Sequence, residues 1–571
     1  MDKRDVARTL SEIAVLLELK GENPFKQRAY ENAARAIEGL SEDPGTLIEE
    51  GKLTEVDGIG ESIAQKITEL WKTGHMKFYE ELVDSIPAGY LEMIRVPGLG
   101  PKRVRLLGDT LGIRSLSELK NAAEKGEIRK LKGFGEQSER KILEGIAFLE
   151  AGGGRRLAAD IRPVAEELWK KLRKLPAVTQ AEVGGSLRRW METVKDVDLL
   201  VATEKAEEVG KAFLGFVPGA TVIASGETKI SVRLPDGLAI DLRLVSPKEF
   251  PFALHYFTGN VAHNIRVRSR ALDRGWSLNE YGLTGKKRHP PIHSEADLFV
   301  ALGLAYIEPE LREDRGEIEA AEKDALPDLV TLKDLNGLLH CHTTYSDGVA
   351  TLQEMARAAE AWGASYLGIS DHSATARYAN GLSEADLKRQ HKEIDAWNSK
   401  SKKLRILKGA EVDILPDGTL DYPDKVLNRL DFVVASIHTN LTMSEADMTQ
   451  RVVRAIKNRY VSILAHPTGR LLFQREGYRI RLDDVYEAAS GEGVVIEVNA
   501  SPHRLDLDWR EIHPAKERNI RFAVNPDAHS AAGYDDLRYG IGAARKGWLT
   551  KKDVINTLPV EKALAVLQAR R

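Results

Sequence analysis

One cysteine, Cys341, stands in the whole chain of 571 residues, so no internal disulfide can form and a reducing compartment such as the cytoplasm is expected. No stretch approaches the roughly 18 apolar residues that a membrane span needs, and no membrane partner is expected. The opening residues MDKRDVARTL are charged and do not read as a secretory signal. Aromatic residues make up only 6% of the chain and the formal net charge is −3, which excludes a global basic field attracting nucleic acid. Any contact with nucleic acid would have to come from local patches or from neutral backbone donors. What the chain does have is length: a single core is excluded, and three to five domains or subdomains are expected.

Within the first 145 residues a short unit recurs three times, as TEVDGIGESIAQKI (54–67), IRVPGLGPKRVRLL (94–107) and RKLKGFGEQSERKI (129–142). Each is an apolar residue, a G-x-G turn and an amphipathic helix, and such self-similarity is a stronger signal than one copy. A glycine turn that opens a helix aims backbone N–H groups outward at the positive end of the dipole, where a phosphate oxygen fits. The units resemble helix-hairpin-helix motifs, which hold the DNA backbone without reading its sequence. The resemblance assigns DNA contacts to Gly58, Gly60, Gly98, Gly100, Gly133 and Gly135, and to Lys102 after the second turn. Amides supply most of the donors, so the region need not be net basic.

Residues 155–250 change character, with AEVGGS, DVDLLVAT, KISVRL and LAIDLRLV reading as strands between helices. Residues two apart in a strand share a face, so Asp196 and Asp198 project side by side, and Asp241 joins them if the two strands pair. Three carboxylates in one place repel one another unless cations neutralise them. Two divalent ions ~3.5–4 Å apart would do so, and would align a 3′-hydroxyl with a nucleotide α-phosphate. Just upstream, Gly185, Ser186, Arg188 and Arg189 in GGSLRRW suit the outgoing phosphates.

This stretch resembles the nucleotidyltransferase palm of family X DNA polymerases, the DNA polymerase beta type, and the likeness continues through YFTGNVAHNIRVRSRAL (256–272). It implies Mg2+ or Mn2+ at catalytic Asp196, Asp198 and Asp241, with nucleotide contacts at Gly185, Ser186 and Arg189. Tyr256, Phe257 and Gly259 correspond to the segment lining the nucleotide sugar, and Asn264 and Arg268 to positions facing the minor groove of the nascent pair. Residues 266–288 hold seven Lys or Arg against two Asp or Glu, a local basic patch beside the expected template. Two positions depart from the family pattern: Lys195 stands where glycine is frequent, and Trp190-Met191 replaces a stretch that is often more basic. The likeness extends to residues 1–85, where Lys66 matches a lysine that in some members forms a Schiff base with a deoxyribose phosphate remnant. Such a lysine needs a depressed pKa. Ser62 and Glu55 stand where basic neighbours would have helped, which leaves Lys26 and Tyr30 as 5′-phosphate contacts and a plain surface lysine as the simpler reading of Lys66.

Seven short apolar runs end in, or just beyond, metal-ligand residue types: GLLHCH (337–342), YLGISDH (366–372), ILKGAEV (406–412), FVVASIH (432–438), VSILAHP (461–467), VVIEVNA (494–500) and FAVNPDAH (522–529). Such runs separated by helix-like segments read as buried parallel strands, and in a β/α barrel the chemistry gathers where strands end. The candidate ligands are His340, His342, Asp347, His372, Glu411, His438, His466, Asp527 and His529. Mixed imidazole and carboxylate ligation suits Mn2+, Zn2+ or Fe2+ better than Mg2+, and nine ligands suffice for two or three ions. A hydroxide bridging them is a nucleophile for phosphate esters at neutral pH. Cys341 falls on the other face of its strand and reads as structural. The runs resemble the polymerase and histidinol phosphatase (PHP) domain, whose motif forms stand as HCHTTYSDG (340–348), SDHS (370–373), GAEVD (409–413), SIH (436–438), AHPTGR (465–470) and PDAH (526–529). All nine family ligand positions are filled, and Arg470 follows as a residue able to steady a substrate phosphate.

Together these readings give a multidomain α/β protein. It comprises an 8-kDa-like helical domain (1–85), a fingers-like helix-hairpin-helix domain (86–150), an α+β nucleotidyltransferase palm (151–255), a thumb (256–315), a charged linker (316–334) and a PHP domain (335–571) folded as a distorted (β/α)7 barrel. The expected function is a monomeric DNA-directed DNA polymerase that fills short gaps in gapped or nicked DNA with dNTPs, as in base excision repair. The barrel adds a metal-dependent 3′→5′ exonuclease, with AP endonuclease or 3′-phosphatase action beside it. The alternatives are a phosphoesterase barrel fused to a DNA-binding arm, with non-templated nucleotidyl transfer in the palm, and a non-catalytic DNA-end scaffold.

Overall fold

The computed structural model describes every residue except 1, 2, 41–43, 95, 97, 152, 153 and 287. Arg95 and Pro97 of the second hairpin and Lys287 of the basic patch therefore lie outside the described residues. The described part of 3–151 is helical, from Lys3–Lys20 and Pro24–Gly39 to Glu136–Ala151. The boundary expected at residue 85 does not divide two cores: one apolar cluster runs from Leu10 and Ile67 through Met93 to Ile146. The reason lies in the first helix. Its buried Val6, Leu10, Ile13, Leu16, Leu17 and Leu19 spread over more than one stripe, so it packs against both Pro24–Gly39 and Pro101–Leu111. The three repeats adopt one form. The N–H groups of Ile59, Leu99 and Phe134 donate to the carbonyls of Val56, Val96 and Leu131 at 3.0, 2.9 and 3.0 Å. The first glycine of each turn, Gly58, Gly98 or Gly133, has φ of 88, 80 or 93°, a region that favours glycine.

Five strands build the palm sheet: β1 Gln180–Val183, β2 Asp196–Ala202, β3 Thr221–Ser225, β4 Lys229–Arg233 and β5 Ala239–Val245. Their order is β1-β2-β5-β4-β3, with β2 and β5 parallel and the other pairs antiparallel. One face packs on helices Ala158–Arg173 and Ala206–Phe216, the other on Phe250–Thr258. Most of the stretch expected as a linker instead packs into the thumb core, and its last residues, from Val330, join the C-terminal domain. Ile318, Ala321 and Leu329 are buried with Leu298 and Phe299, and the charges that suggested a solvated spacer have partners: Glu317 with His263 at 2.7 Å and Glu322 with Arg270 at 3.1 Å.

The seven apolar runs become parallel strands: β6 Gly337–Cys341, β7 Tyr366–Ile369, β8 Arg405–Lys408, β9 Glu411–Asp413, β10 Val434–Ser436, β11 Ile463–Leu464, β12 Val495–Asn499 and β13 Phe522–Asn525. The third run is split into β8 and β9 at Gly409, where the Phe432 ring comes within 2.3 Å of the position a Cβ would take. The strands form two sheets, β6-β7-β8 and β9-β10-β11-β12-β13, and a parallel bridge between Cys341 and Ala528 links the last run back to the first. Cys341 is buried in the apolar core. Among the described residues, no helix is long and apolar enough to cross a membrane.

Candidate active sites

In the palm, β2 and β5 pair with Asp198 opposite Asp241, and Asp196 precedes Asp198 by two residues on the same face. Burial first, then the charges of Asp196 and Asp241, push the Asp198 carboxyl up to about 6. One cation is built in: Lys229 on β4 meets Asp241 at 2.7 Å, and the Ser231 hydroxyl donates to the same carboxylate at 2.6 Å. A divalent ion fits the remaining uncompensated charge. The turn Gly185–Arg188 closes on this face so tightly that a Cβ on Gly185 would lie 2.2 Å from Asp198 Oδ2, and φ there is +60°. Only glycine can stand there without displacing the carboxylate.

The arginines expected at the phosphates are committed elsewhere. Arg188 donates to Glu295 at 3.0 and 2.6 Å and to Thr258 Oγ1 at 2.6 Å. Arg189 donates to Glu313 at 3.0 Å and to the Thr258 carbonyl. Their carboxylate partners lie more than 100 residues away in sequence, beyond any local spacing. Tyr256 and Phe257 meet edge to face at 5.0 Å, and Arg243 lies 4.4 Å over the Phe257 ring. Gly259 is buried with φ of 70°. Asn264 holds the segment by donating to the Tyr256 carbonyl at 2.7 Å, while Arg268 is exposed on the helix Val261–Asp273.

In the helical region, Gly60 and Gly100 are the N-caps of Glu61–Thr73 and Pro101–Leu111, and Gly135 directly precedes Glu136–Ala151. No atom stands within 4 Å of a Cβ at any of the three, so no neighbouring side chain crowds these turns. Lys102 is exposed and reaches Glu18 at 3.6 Å. Lys66 Nζ donates to Ser62 Oγ at 2.8 Å. Lys66 and Lys26 share one ring, lying 5.1 and 5.4 Å from the Phe78 centroid. Burial and then the charge of Lys26 lower the Lys66 pKa, so Lys26 supplies the cationic neighbour that spacing along the helix did not show.

The nine candidate ligands of the C-terminal domain converge on Glu411. Its oxygens lie 3.0 Å from His372 Nδ1 and His466 Nε2, and 3.3, 3.5 and 3.4 Å from the Nε2 atoms of His340, His342 and His438. Asp527 bridges His340 and His342 at 3.5 and 3.3 Å, and Asp347 lies 3.7, 3.6 and 3.4 Å from His342, His372 and His529. Three overlapping groups have metal-binding geometry: His342, Asp347, His372 and His529; His340, His342 and Asp527; His372, Glu411 and His438. Although buried, His340 Nε2, both nitrogens of His342 and His372 Nδ1 have no hydrogen-bond partner. Orphaned imidazole nitrogens among carboxylates are what divalent ions would satisfy. Burial opposes charging the imidazoles, yet the surrounding carboxylates carry His340 and His372 above the ordinary range and His529 to about 9. His342, buried and facing His529, falls to about 3. Three candidate ligands, His340, His466 and Asp527, hold positive φ of 58, 26 and 50°, strain that re-aims side chains at the strand ends.

Sequence reasoning missed the residues that orient these ligands. Glu497 on β12 accepts from His340 Nδ1 at 2.6 Å, and Asp413 on β9 accepts from His438 Nδ1 at 2.6 Å. Each fixes its imidazole with Nε2 toward the cluster. Asp371 accepts from the Thr343 N–H at 2.8 Å and hydroxyl at 2.7 Å, pinning the loop after His342. A charged residue inside an otherwise apolar run, as in VVIEVNA, is the signal that could have found Glu497. Arg470 does not face the cluster: it pairs with Asp508 and donates to the Arg504 carbonyl at 3.0 Å. Arg504 stands there instead, its Nε 3.6 Å from Asp527 Oδ2.

The two sites are braced against each other. Trp190, the departure noted in sequence, packs on Gly542 of the helix Leu537–Lys546, where a Cβ would come within 2.6 Å of the indole, and Arg162 covers its ring at 3.8 Å. Lys546, only 2% exposed, donates to the Arg189 carbonyl at 3.0 Å and to Glu313 at 2.7 Å. Glu192 accepts from Trp509 Nε1 at 3.1 Å and Arg510 at 2.8 Å.

Family models match four segments: a helix-hairpin-helix domain over 1–76, a SAM-like helix-hairpin-helix tandem over 90–147, the DNA polymerase beta thumb over 253–313 and the PHP domain over 339–501. The DNA polymerase/3′-5′ exonuclease PolX of Bacillus subtilis (strain 168) is 40% identical over 574 residues, covering 100% of both chains. This chain belongs to the PolX family. Its helical region, polymerase-beta-like domains and PHP domain are those of the family. The C-terminal domain alone is also similar to a probable phosphatase of Thermoanaerobacter sp. (strain X514), 30% identical over 38% of this chain and 89% of that protein. A probable phosphatase of Acetivibrio thermocellus is 34% identical over 33% of this chain and 78% of its own.

Proposed function

We propose that the protein is a DNA-directed DNA polymerase of the gap-filling, base-excision-repair type whose C-terminal domain trims DNA 3′ ends. The observation that carries the first half is the register that sets Asp198 opposite Asp241 beneath the Gly185 turn. The second half rests on the nine-ligand cluster in the same chain. Mg2+ or Mn2+ held by Asp196, Asp198 and Asp241 would supply electrostatic stabilisation of the transferring phosphoryl group and activation of a primer 3′-hydroxyl. Gly185 and Ser186 offer backbone and hydroxyl donors to the outgoing phosphates, and Tyr256 with Phe257 presents a wall to a ribose 2′-hydroxyl. The hairpin amides at Gly60, Gly100 and Gly135 grip the backbones of gapped or nicked DNA.

In the barrel, Mn2+, Zn2+ or Fe2+ among the nine ligands would supply a hydroxide nucleophile near neutral pH. Hydrolysis of the last phosphodiester breaks its P–O3′ bond, releasing a nucleoside monophosphate and leaving a new 3′-hydroxyl. Glu497 and Asp413 keep His340 and His438 in the ligating orientation. Likeness to two probable phosphatases favours a second action on the same centre, removal of a 3′-terminal phosphate that would block the palm. The test is a 5′-labelled primer in a gapped duplex with Mn2+. Added dNTPs should convert progressive shortening into extension to the end of the gap, and a primer unchanged under both conditions would refute the proposal.

A further inference from the structure

One exposed aromatic ring stands at the mouth of the metal-ligand cluster, and ligand placement does not account for it. Tyr378 is 67% exposed, on the segment between β7 and the helix Glu384–Asn398. Its centroid lies 6.1 Å from that of His372 and 6.0 Å from that of His438. The segment carrying it is tightly built. Gly381 N–H donates to the Ala376 carbonyl at 3.0 Å and Leu382 N–H to the His372 carbonyl at 2.8 Å. Thr375 donates through its N–H to Asp421 at 2.8 Å and through its hydroxyl to Asp413 at 3.2 Å. A Cβ on Gly381 would fall 1.9 Å from the Ser373 carbonyl oxygen, so the chain doubles back on itself there. A fixed loop thus holds an apolar ring in water beside the reactive centre, and a contact prepared in this way loses little entropy when it is made.

A second feature shares the mouth. Arg504 reaches Asp527 Oδ2 at 3.6 Å with its side chain one-fifth exposed at 20%, and its charge acts on Tyr378. A phosphate alone needs the ligand cluster and a guanidinium. An aromatic face adds nothing to a phosphate, but it adds a stacking surface for a nucleobase, and every base has a π-face. The faces of a paired terminal base are already largely covered within the duplex, whereas an unpaired base can leave the stack at small cost.

We propose that Tyr378 and Arg504 form a subsite for the unpaired nucleotide at a DNA 3′ end, the ring stacking on its base and the guanidinium meeting its phosphate. This rests on the nuclease reading of the cluster and adds a residue-level prediction to it: phosphate esters without a base gain nothing from the ring.

The test compares two 5′-labelled single strands, one ending in an ordinary nucleotide and one in a baseless tetrahydrofuran residue, with Mn2+. Wild type, Tyr378→Ala and Tyr378→Phe are each assayed. Stacking on one aromatic ring corresponds to about 5- to 150-fold in affinity. Wild type should show a KM lower by about five-fold or more for the base-bearing end. Tyr378→Ala should lose that preference with kcat and the KM for the baseless end unchanged, and Tyr378→Phe should keep it. The subsite is overturned if Tyr378→Ala slows both ends alike, as a structural role would, or leaves the preference intact. Wild type that degrades neither strand would overturn the nuclease reading and the subsite with it.

Discussion

Glu497 offers a sharp test because every hydrogen bond it makes has the same direction. It is 0% exposed. One oxygen accepts from His340 Nδ1 at 2.6 Å and Asn525 Nδ2 at 2.8 Å, and the other from the His466 N–H at 2.9 Å and Asn499 Nδ2 at 3.1 Å. Glu497→Gln keeps the shape but replaces one acceptor by an NH2 group, which must face two donors whichever way the amide turns. Asn499 cannot rotate to help, because Nδ2 also donates to Asp527 at 3.0 Å and Oδ1 accepts from Ser501 N–H at 3.0 Å. Each donor left unsatisfied in a buried site costs about 1–3 kcal/mol, and loss of a partner that orients a ligand imidazole lowers metal affinity or activity about 10- to 100-fold. The assay is 3′-end degradation of a labelled single strand against Mn2+ concentration. The half-saturating Mn2+ should rise by about 10- to 100-fold while primer extension by the palm is unchanged. A variant with the wild-type Mn2+ dependence would refute the idea that Glu497 orients His340.

Three further outcomes are expected. Asp198 titrates near 6 before metal binds, because burial and then Asp196 and Asp241 disfavour its charge. As pH falls through 6 the carboxyl takes up a proton that Mg2+ must displace, so the half-saturating Mg2+ for extension should rise by up to about ten-fold per pH unit below 6 and stay flat above it; a flat curve down to pH 5 would count against the shift. Lys546→Met strips buried Glu313 of one of its two cations, and breaking such a pair costs about 3–5 kcal/mol. A lower Tm with a raised KM for dNTP should follow, and unchanged values would mean that the barrel does not brace the Arg189 turn. Lys66, with its pKa lowered by burial and Lys26, should be trapped by borohydride on DNA carrying a 5′-deoxyribose phosphate; equal trapping in Lys66→Ala would exclude it as the amine.

What could be read from the sequence was what spacing alone controls. Two aspartates two residues apart on a strand, three copies of a glycine turn and ligand types at the ends of apolar runs each imply one geometry, and the chain adopts it at Asp196 and Asp198, at Gly58, Gly98 and Gly133, and around Glu411. What could not be read depended on partners remote in sequence. Arg188 and Arg189 looked free because Glu295 and Glu313 lie far along the chain, and Arg470 looked free because Asp508 does. The stretch 316–334 looked like a solvated spacer because its pairing with His263, Arg266 and Arg270 is invisible without the fold. Trp190-Met191 looked like an anomaly of the nucleotide site and is instead where the palm meets the barrel. Glu497 was hidden because it stands inside an apolar strand rather than at its end.

On the proposed function, one chain carries two centres that act in opposite directions on the same kind of DNA end. The most direct measurement follows a 5′-labelled primer in gapped DNA with Mn2+ and dNTPs, using wild type, Asp198→Ala and His342→Ala. Asp198→Ala should abolish extension and leave degradation intact, while His342→Ala should abolish degradation and leave extension intact. Loss of both activities in either folded variant, or of neither in both, would contradict it.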